Sequence, residues 1–523
     1  MCETRILTTT QMRWADQTTI HAGTSSFILM DRAGSAVASA VLECMPDYGR
    51  IVIIAGSGNN GGDGFAAAYY LRQHRLPVTV VSLVSLSDLH GDIKVHADNA
   101  RKAGVKIRET CSATPLSELG RWLLRAVMVV DCVFGTGVNR PLQGRMRDII
   151  ARINESDRPI LSVDIASGIC SDTGAVLGAA VQADFTLPIA ATKWGHWQNE
   201  GRDYTGKLLP VADIGITDAT IKAAWADSCR CENEQDCFCV KSTSVIQDTW
   251  LQRAWPARSR LSHKGNYGHV WVFGGSRGFT GAPQLAALGA YAAGAGLASI
   301  ACPDDVWPVI ATNNLNVMVH PESSADWQSA DALVIGSGWG KTQSALLAIL
   351  LDSDKPVVLD ADALNIVAAS AELQQQLIAR QAMTVMTPHP GEAARLLNMS
   401  VEDIQVDRKK SIIALTTRYH CWIVLKGSET LLASPQMDIY LNPFGSAQLA
   451  VAGSGDVLAG MIGAQLARLK ADVNDRHKSA LLIASAVALH GKAGEHNGWY
   501  LAEELAKVIS EIRQYIEQAG KPV

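Results

Sequence analysis

Small residues lead into an apolar stretch at Ala452-Gly-Ser-Gly-Asp-Val-Leu-Ala-Gly460. Read as a helix start, the run offers free backbone N–H groups to a phosphate and puts Asp456 in the first turn. A carboxylate there can take a proton from a substrate hydroxyl while phosphoryl charge is stabilised beside it. A glycine-rich helix start with a favourably placed acid would look the same in isolation. Here it has company: Lys264-Gly-Asn-Tyr-Gly268, Gly274-Gly-Ser-Arg-Gly-Phe-Thr-Gly-Ala282, Gly336-Ser-Gly338, Asp360-Ala-Asp-Ala-Leu-Asn365, Thr387-Pro-His-Pro-Gly-Glu392 and Lys426-Gly427. Most of these sit where a strand-like run gives way to a loop.

A second constellation lies in the first half. The apolar run Ile51–Ala55 enters Gly56-Ser-Gly-Asn-Asn-Gly-Gly-Asp-Gly64, read as a glycine-rich loop followed by a helix. Gly56, Gly58 and Gly61 match the spacing of a dinucleotide-binding turn. A standard NAD-binding domain also wants an acid at the end of the next strand, and Val80-Val-Ser-Leu-Val84 has none before Asp88. Two further strand ends are equipped: Val129-Val-Asp131-Cys-Val-Phe-Gly-Thr-Gly137 and Val163-Asp164-Ile-Ala-Ser-Gly168. In a parallel sheet the carboxyl ends of strands line one crevice, so these segments are expected to converge. Gly340-Lys-Thr342 imitates a P-loop, but the position five before Gly340 is Ile335 rather than glycine, and it is set aside.

The elements that must position these residues alternate along the chain. Strand-like runs at Ile51–Ala55, Val78–Leu83, Val127–Val133 and Ile160–Asp164 are separated by helix-like stretches at Phe65–Gln73, Val95–Ala103 and Leu116–Ala126. The rhythm restarts at Val270–Phe273 and continues through Leu333–Ile335, Val357–Leu359, Val385–Thr387 and Ile423–Leu425. This predicts α/β architecture with parallel sheets covered on both faces. Residues 218–244 interrupt it with few apolar runs and the pairs Cys229/Cys231 and Cys237/Cys239, which predicts a linker between domains at 1–217 and 245–523. Paired thiolates could hold zinc there as a local feature. The 523 residues, 48% hydrophobic and 19% charged, suit large cores, and the net charge of −5 argues against a nucleic-acid partner. The uncharged run Pro283–Pro303 is too rich in Ala and Gly for a span and reads as a buried helix leading into a strand, so no membrane partner is expected. Mostly isolated cysteines and an N-terminus without an apolar leader point to the cytoplasm.

Residues 1 to 217 resemble the NAD(P)H-hydrate epimerase domain, which is Rossmann-like and doubly wound. The likeness rests on Leu29-Met-Asp-Arg-Ala-Gly34, Asn59-Asn-Gly-Gly-Asp-Gly64, Asp131…Gly137, Val163…Gly168, Asp172-Thr-Gly174 and Thr192-Lys-Trp-Gly195. It implies a potassium ion on Asn60, Asp131 and Ser167. It implies the nicotinamide hydrate on Asn59, Asn60, Gly61, Gly62, Asp63, Gly135, Thr136, Gly137, Val138, Asn139, Arg140, Pro141 and Asp164. Asp164 and Lys193 become candidates for acid/base work at the hydroxyl-bearing carbon. Ala166 stands where that family usually has proline.

Residues 245 to 515 resemble the ADP/ATP-dependent NAD(P)H-hydrate dehydratase of the ribokinase-like superfamily, on the motifs that accompany Asp456. The resemblance implies Asp456 as base and Ala282, Gly338, His389 and Asp456 on the hydrate. It implies Lys426, Gly427, Ser428, Glu429, Thr430 and Gly455 on the nucleotide, ADP or ATP, with a magnesium ion. The expectation is repair of NADHX and NADPHX by a fused enzyme, associating as a homo-oligomer. The competing expectation is a ribokinase-like kinase for a small alcohol or vitamin precursor, joined to a non-catalytic Rossmann-like interaction domain.

Overall fold

The computed structural model describes residues 4–110, 114–227, 240–312, 314–469, 475–499 and 501–519. The chain divides into two units, Met1–Cys239 and Val240–Val523. The four expected cysteine ligands, Cys229, Cys231, Cys237 and Cys239, lie outside the described residues.

The first unit is built on a parallel seven-stranded sheet in the order Lys106–Glu109, Val78–Ser82, Ile51–Ala55, Met128–Cys132, Ile160–Val163, Phe185–Leu187 and Lys207–Leu208. All the residues of the three central strands are buried, as continuous apolar runs covered on both faces require. A separate two-stranded pairing fastens the start of the chain beside Lys193. Ile6–Leu7 runs parallel to Thr192–Lys193, with Leu7 opposite Lys193, and the helix Thr9–His21 follows at once. Thr8 caps that helix reciprocally with Gln11. Part of the expected linker belongs here: Asp218–Asp227 is a helix, and Ile221, Ala224 and Trp225 bury one face of it at helical spacing. The Trp225 indole donates to Ile6 O at 3.3 Å.

The second unit carries a ten-stranded sheet, from Ser242–Val245 at one edge through Asp438–Leu441, Leu431–Ala433, Trp422–Leu425, Thr384–Met386, Val357–Leu359, Ala332–Ser337, His269–Gly274 and Leu297–Cys302 to Met318–Pro321. Leu431–Ala433 runs antiparallel to both neighbours; the other pairings are parallel. Ser242–Val245 is the edge strand, and its first three residues, 242–244, fall in the expected linker. The uncharged run 283–303 resolves into the end of helix Gly281–Ala292 and the strand Leu297–Cys302. That helix packs backbone to backbone on Ser454–Leu469. A Cβ on Gly289 would stand 2.1 Å from Val457 O, and one on Gly460 would stand 1.8 Å from Ala286 O, so both positions exclude any side chain. Among the described residues no helix is long and apolar enough to cross a membrane.

Candidate active sites

In the first unit the strand order reverses between Ile51–Ala55 and Met128–Cys132, which opens a crevice beyond their carboxyl ends. Only Gly56, Ser57 and Gly58 form a loop there. The expected loop residues Asn59 to Gly64 are already the first turns of the helix Asn59–Gln73. Asn and Gly are poor helix formers, but this helix approaches its neighbours too closely for anything larger: a Cβ on Gly61 would meet Gly56 O at 2.1 Å. Asn59 is exposed at the helix start, whereas Asn60 turns inward.

The Asn60 amide donates to Phe134 O at 2.8 Å and to Val163 O at 3.2 Å, tying two strand ends together. Its Oδ1 is buried without a partner. An orphaned buried oxygen is expensive unless something absent from the protein completes it. Asp131 is fully buried and accepts from Val133 N (3.1 Å), Ser162 Oγ (2.8 Å), Ser167 N (2.9 Å) and Ser167 Oγ (2.6 Å). Burial raises its pKa above the ordinary carboxylate value against the pull of these donors. Ser167 Oγ also accepts from Phe134 N at 2.8 Å. Asn60, Asp131 and Ser167 thus share one buried, oxygen-rich knot whose hard donors suit a hard cation such as potassium.

Asp164 has left-handed backbone geometry, φ 69°. Its N–H donates to Leu187 O at 2.8 Å, and its carbonyl accepts from His196 Nε2 at 2.8 Å. Its carboxylate is paired with Lys193 Nζ, which also donates to Ile189 O at 2.9 Å. Lys193 is completely buried rather than a solvated surface lysine. Gly135 closes the group: a Cβ there would lie 3.1 Å from Asp164 Oδ2 and 3.5 Å from Asn60 Cβ. Beyond it, Gly137, Asn139, Arg140 and Pro141 face solvent, while Thr136 and Val138 are half-buried. With Ala166 in place of the usual proline the turn holds, Ala166 O accepting from Ile169 N at 3.1 Å.

Two members of this site had no signal in the sequence. Asp16 belongs to the helix Thr9–His21, whose first turn is fastened by Thr9 N to Asp172 Oδ1 at 2.7 Å and Thr9 Oγ1 to Ser171 Oγ at 2.6 Å. Burial raises Asp16 to about 6, Lys193 opposes the rise and Asp164 adds to it. Burial, with Asp164 and Asp16 behind it, pushes Asp63 well above the carboxylate range. Three carboxyl groups therefore share the field of one lysine. His196 is fully buried and lowered to about 4, chiefly by burial. Its Nδ1 accepts from Lys193 N at 3.0 Å, which leaves the proton on Nε2 to hold Asp164.

The second unit gathers its residues at the carboxyl ends of the central strands. Lys426 Nζ donates to Asp360 Oδ1 at 2.6 Å, and Thr387 Oγ1 donates to the same oxygen at 2.8 Å. A Cβ on Gly455 would lie 3.3 Å from Lys426 Nζ, so the ammonium borders the helix start. Asp456 stands in the first turn of Ser454–Leu469. Burial raises it from 3.8 to about 7, with the Asp360 charge adding to the rise and Lys426 opposing it. Ser337 Oγ, otherwise without a partner, faces that carboxylate. His490, buried and lowered to about 4 mainly by burial, bonds Ser454 O at 3.0 Å and pins the helix start; nothing in the sequence marked it.

Gly338 (φ 60°) and Ala282 meet: a Cβ on Gly338 would lie 3.0 Å from Ala282 Cβ. Ser276 Oγ holds Gly338 O at 2.9 Å. His389 is half exposed, not a buried structural histidine; its Nδ1 accepts from Gly391 N at 3.0 Å. Glu392 closes this turn onto His389 N at 2.8 Å and is raised to about 7, mainly by burial. Lys426 N donates to Pro388 O at 2.9 Å, joining the histidine turn to the lysine. Gly427 and Ser428 are exposed, and the buried Arg408 guanidinium supports this turn through Leu425 O and Lys426 O. Thr430 Oγ1 donates to Gly427 O at 3.2 Å, and Glu429 takes left-handed geometry.

Two family models match the chain. The one described as NAD(P)H-hydrate dehydratase covers residues 270–513, and the one described as YjeF-related protein N-terminus covers 26–195. The bifunctional NAD(P)H-hydrate repair enzyme of Coxiella burnetii is 33% identical over 88% of this chain and 89% of its own length. That of Moorella thermoacetica is 34% identical over 90% and 88%, and that of Escherichia coli 32% over 85% and 81%. Among solved structures, the ADP/ATP-dependent NAD(P)H-hydrate dehydratase of Bacillus subtilis, co-crystallised with ATP and Mg2+, is 30% identical. It aligns over 52% of this chain and 98% of its own, at a TM-score of 0.46.

Proposed function

The chain belongs to the family of bifunctional NAD(P)H-hydrate repair enzymes, and from that premise we infer which of its residues carry out each half of the repair. It is an enzyme with an epimerase unit and a dehydratase unit, acting on NADHX and NADPHX.

In the dehydratase unit the hydrate has gained water across the nicotinamide ring and carries a hydroxyl, which leaves poorly. Asp456 takes the hydroxyl proton as the oxygen attacks the terminal phosphorus of ADP or ATP. The phosphorus–oxygen bond to the departing nucleotide breaks, and phosphate becomes the leaving group on the ring. The ring nitrogen lone pair expels it, the neighbouring ring carbon gives up a proton, and the double bond returns. Ala282, Gly338 and His389 are assigned to the hydrate. Gly455 N–H and Lys426 are assigned to the migrating phosphoryl group, and Gly427, Ser428, Glu429 and Thr430 to the nucleotide. A magnesium ion would supply charge neutralisation on the nucleotide phosphates. The observation that carries this reading is an aspartate poised at about 7 in a helix's first turn, with an ammonium bordering the amide before it.

In the epimerase unit, breaking and remaking a bond at the hydroxyl-bearing carbon needs a proton delivered and withdrawn. The buried Lys193–Asp164 pair is assigned to that task. The hydrate is assigned to Asn60, Gly61, Gly62, Asp63 and the loop from Gly135. Asn60, Asp131 and Ser167 would hold a potassium ion, which would supply a fixed positive charge beside the substrate. Asn60→Leu removes the unpartnered oxygen; it is expected to abolish the dependence of epimerisation on potassium and the rise in Tm that potassium gives the wild type. A variant that kept both would reject the ion site.

Incubating the chain with mixed R and S NADHX and ADP or ATP, and following NADH absorbance, tests the whole scheme. Full recovery is expected. Asp164→Asn should recover only the S share, and Asp456→Asn should recover little. Full recovery by Asp456→Asn would defeat the assignment. A cytoplasmic homo-oligomer completes the proposal; a single-chain mass of 55.9 kDa in light scattering would reject the oligomer.

A further inference from the structure

A cavity of about 80 Å³ in the second unit is lined by Arg258, Tyr267, Gly294, Arg468 and Glu517, among others. It stands apart from the catalytic residues. Arg468 lies near the end of the helix that Asp456 begins, twelve residues on, which at 1.5 Å per residue is about 18 Å along the axis. The packed partner helix, Gly281–Ala292, likewise carries Ala282 in its first turn and ends beside the cavity.

Three guanidiniums gather around one carboxylate. Arg513 Nη1 donates to Glu517 Oε1 at 2.5 Å, and Arg258 Nε lies 3.6 Å from the same oxygen. Arg258 and Arg513 both border Gly294. Part of this has a local explanation. Arg258 Nη2 donates to Gly294 O and Arg513 Nε to Ala292 O, each at 2.7 Å, satisfying carbonyls at a helix C-terminus. That explanation stops short of Arg468, whose one hydrogen bond among the described residues is to Gln465 Oε1 at 2.9 Å. Each guanidinium has five N–H donors, and among the described residues the three together make four hydrogen bonds. Burial lowers Arg468 to about 10, and the Arg258 and Arg513 charges push the same way. The cavity is therefore short of negative charge. Arg258 is also held over the Tyr267 ring, 3.9 Å from its centroid, with its planar fork fixed.

We propose that this cavity binds a small tetrahedral oxyanion, either inorganic phosphate or the phosphoryl end of a phosphomonoester, at a site distinct from the one at Gly455. Its size fits: one water needs roughly 10–15 Å³ on this measure, so the space takes several waters or an oxyanion of five heavy atoms. Its chemistry fits too, because guanidinium forks match phosphate oxygens two at a time. The inference holds whether or not the repair reading does, since it uses none of the catalytic residues.

Calorimetric titration of phosphate into the full-length chain, at constant ionic strength, tests it. Arg258→Gln, a half-exposed position, should weaken one phosphate-binding component about tenfold, while Asp456→Asn leaves that component unchanged. Glu517→Gln should tighten it several-fold, because it removes the one carboxylate among the described lining residues that competes with the anion. A merely structural arginine cluster would gain nothing from Glu517→Gln. Methyl phosphate binding as tightly as phosphate would identify the ligand as a phosphomonoester, and binding at least tenfold weaker would identify it as free phosphate. Superimposable isotherms for wild type, Arg258→Gln and Glu517→Gln would overturn the site, as would loss in Arg258→Gln without gain in Glu517→Gln.

Discussion

Asp456→Asn should make the protein more stable while removing its dehydratase activity, and the gain should depend on pH. A carboxyl raised from 3.8 to about 7 on folding is held in surroundings that oppose its charge. Stability from such a group is fully present below the unfolded value near 4 and is lost progressively as pH rises through the folded value near 7. Above both values the charged form costs about 4 kcal/mol, since each pKa unit is 1.36 kcal/mol. Asp456 keeps a little solvent contact, so part is screened and a gain of about 2–4 kcal/mol at pH 8 is expected for the isosteric amide. At pH 5 the expected gain falls to about 1–1.5 kcal/mol, and at pH 4 to about 0.5 kcal/mol or less. The substitution strands no cation, because Lys426 keeps Asp360 at 2.6 Å. Urea unfolding at the three pH values measures this, on the transition that adenine nucleotide shifts upward, since the two units need not unfold together. Equal stability of variant and wild type at pH 8, or a gain just as large at pH 4, would refute the claim that this carboxylate is desolvated. The reasoning for its role as a base near neutrality would fall with it.

The same geometry has other consequences. The kcat/KM for dehydration should rise about tenfold per pH unit below 7 and level off above it, as a base at about 7 requires; a flat profile from pH 5 to 8 contradicts that role. Lys193→Met leaves Asp164 and its neighbours without their cation, so epimerisation should stop and the first unit should lose about 3–5 kcal/mol, read by denaturant titration. Asp16→Asn should erase an inflection near pH 6 in the epimerisation rate profile; its persistence would assign that inflection elsewhere. Gly460→Ala puts a Cβ 1.8 Å from Ala286 O and should cost about 1–3 kcal/mol or more in the same unfolding assay.

Strands such as Ile51–Ala55 and Val357–Leu359 were legible with these bounds because each is a run of buried apolar residues between turn formers, whereas Lys106–Glu109, polar and mostly exposed, was not. The helix start at Asn59 was not. Asn-Asn-Gly-Gly-Asp-Gly has the composition of a loop, and only contact with Gly56, Met30 and Cys132 makes glycine the residue that fits a helix there. The linker was overdrawn for a related reason: Asp218–Asp227 is apolar mainly through alanine, with Ile221 and Trp225 its only large apolar residues, too little to announce a helix unless the surface receiving it is known. Asp131, Asp164 and Asp456 were visible because strand ends and helix starts are local features. Asp16 and His490 were invisible because their contact with the site depends on pairings across more than a hundred and on thirty-odd residues, respectively.

The two units share no motif, yet they use one electrostatic device. In each, a lysine of low exposure is committed to one aspartate, Lys193 to Asp164 and Lys426 to Asp360, and further carboxyls crowd the same pocket. The lysine's charge reaches Asp16 and Asp63 in one unit and Glu392 and Asp456 in the other, lowering each against the effect of burial. One ammonium cannot neutralise three acids in a medium of low polarity, so the surplus acids are driven toward the neutral form. A carboxyl that changes state near pH 6 to 7 can both accept and return a proton, and each half of the repair moves protons at the hydrated ring. The neutral histidines complete the arrangement from behind. His196 on Asp164 O and His490 on Ser454 O orient the backbone of the acid-bearing segment without adding charge, which a lysine or arginine in their places would do.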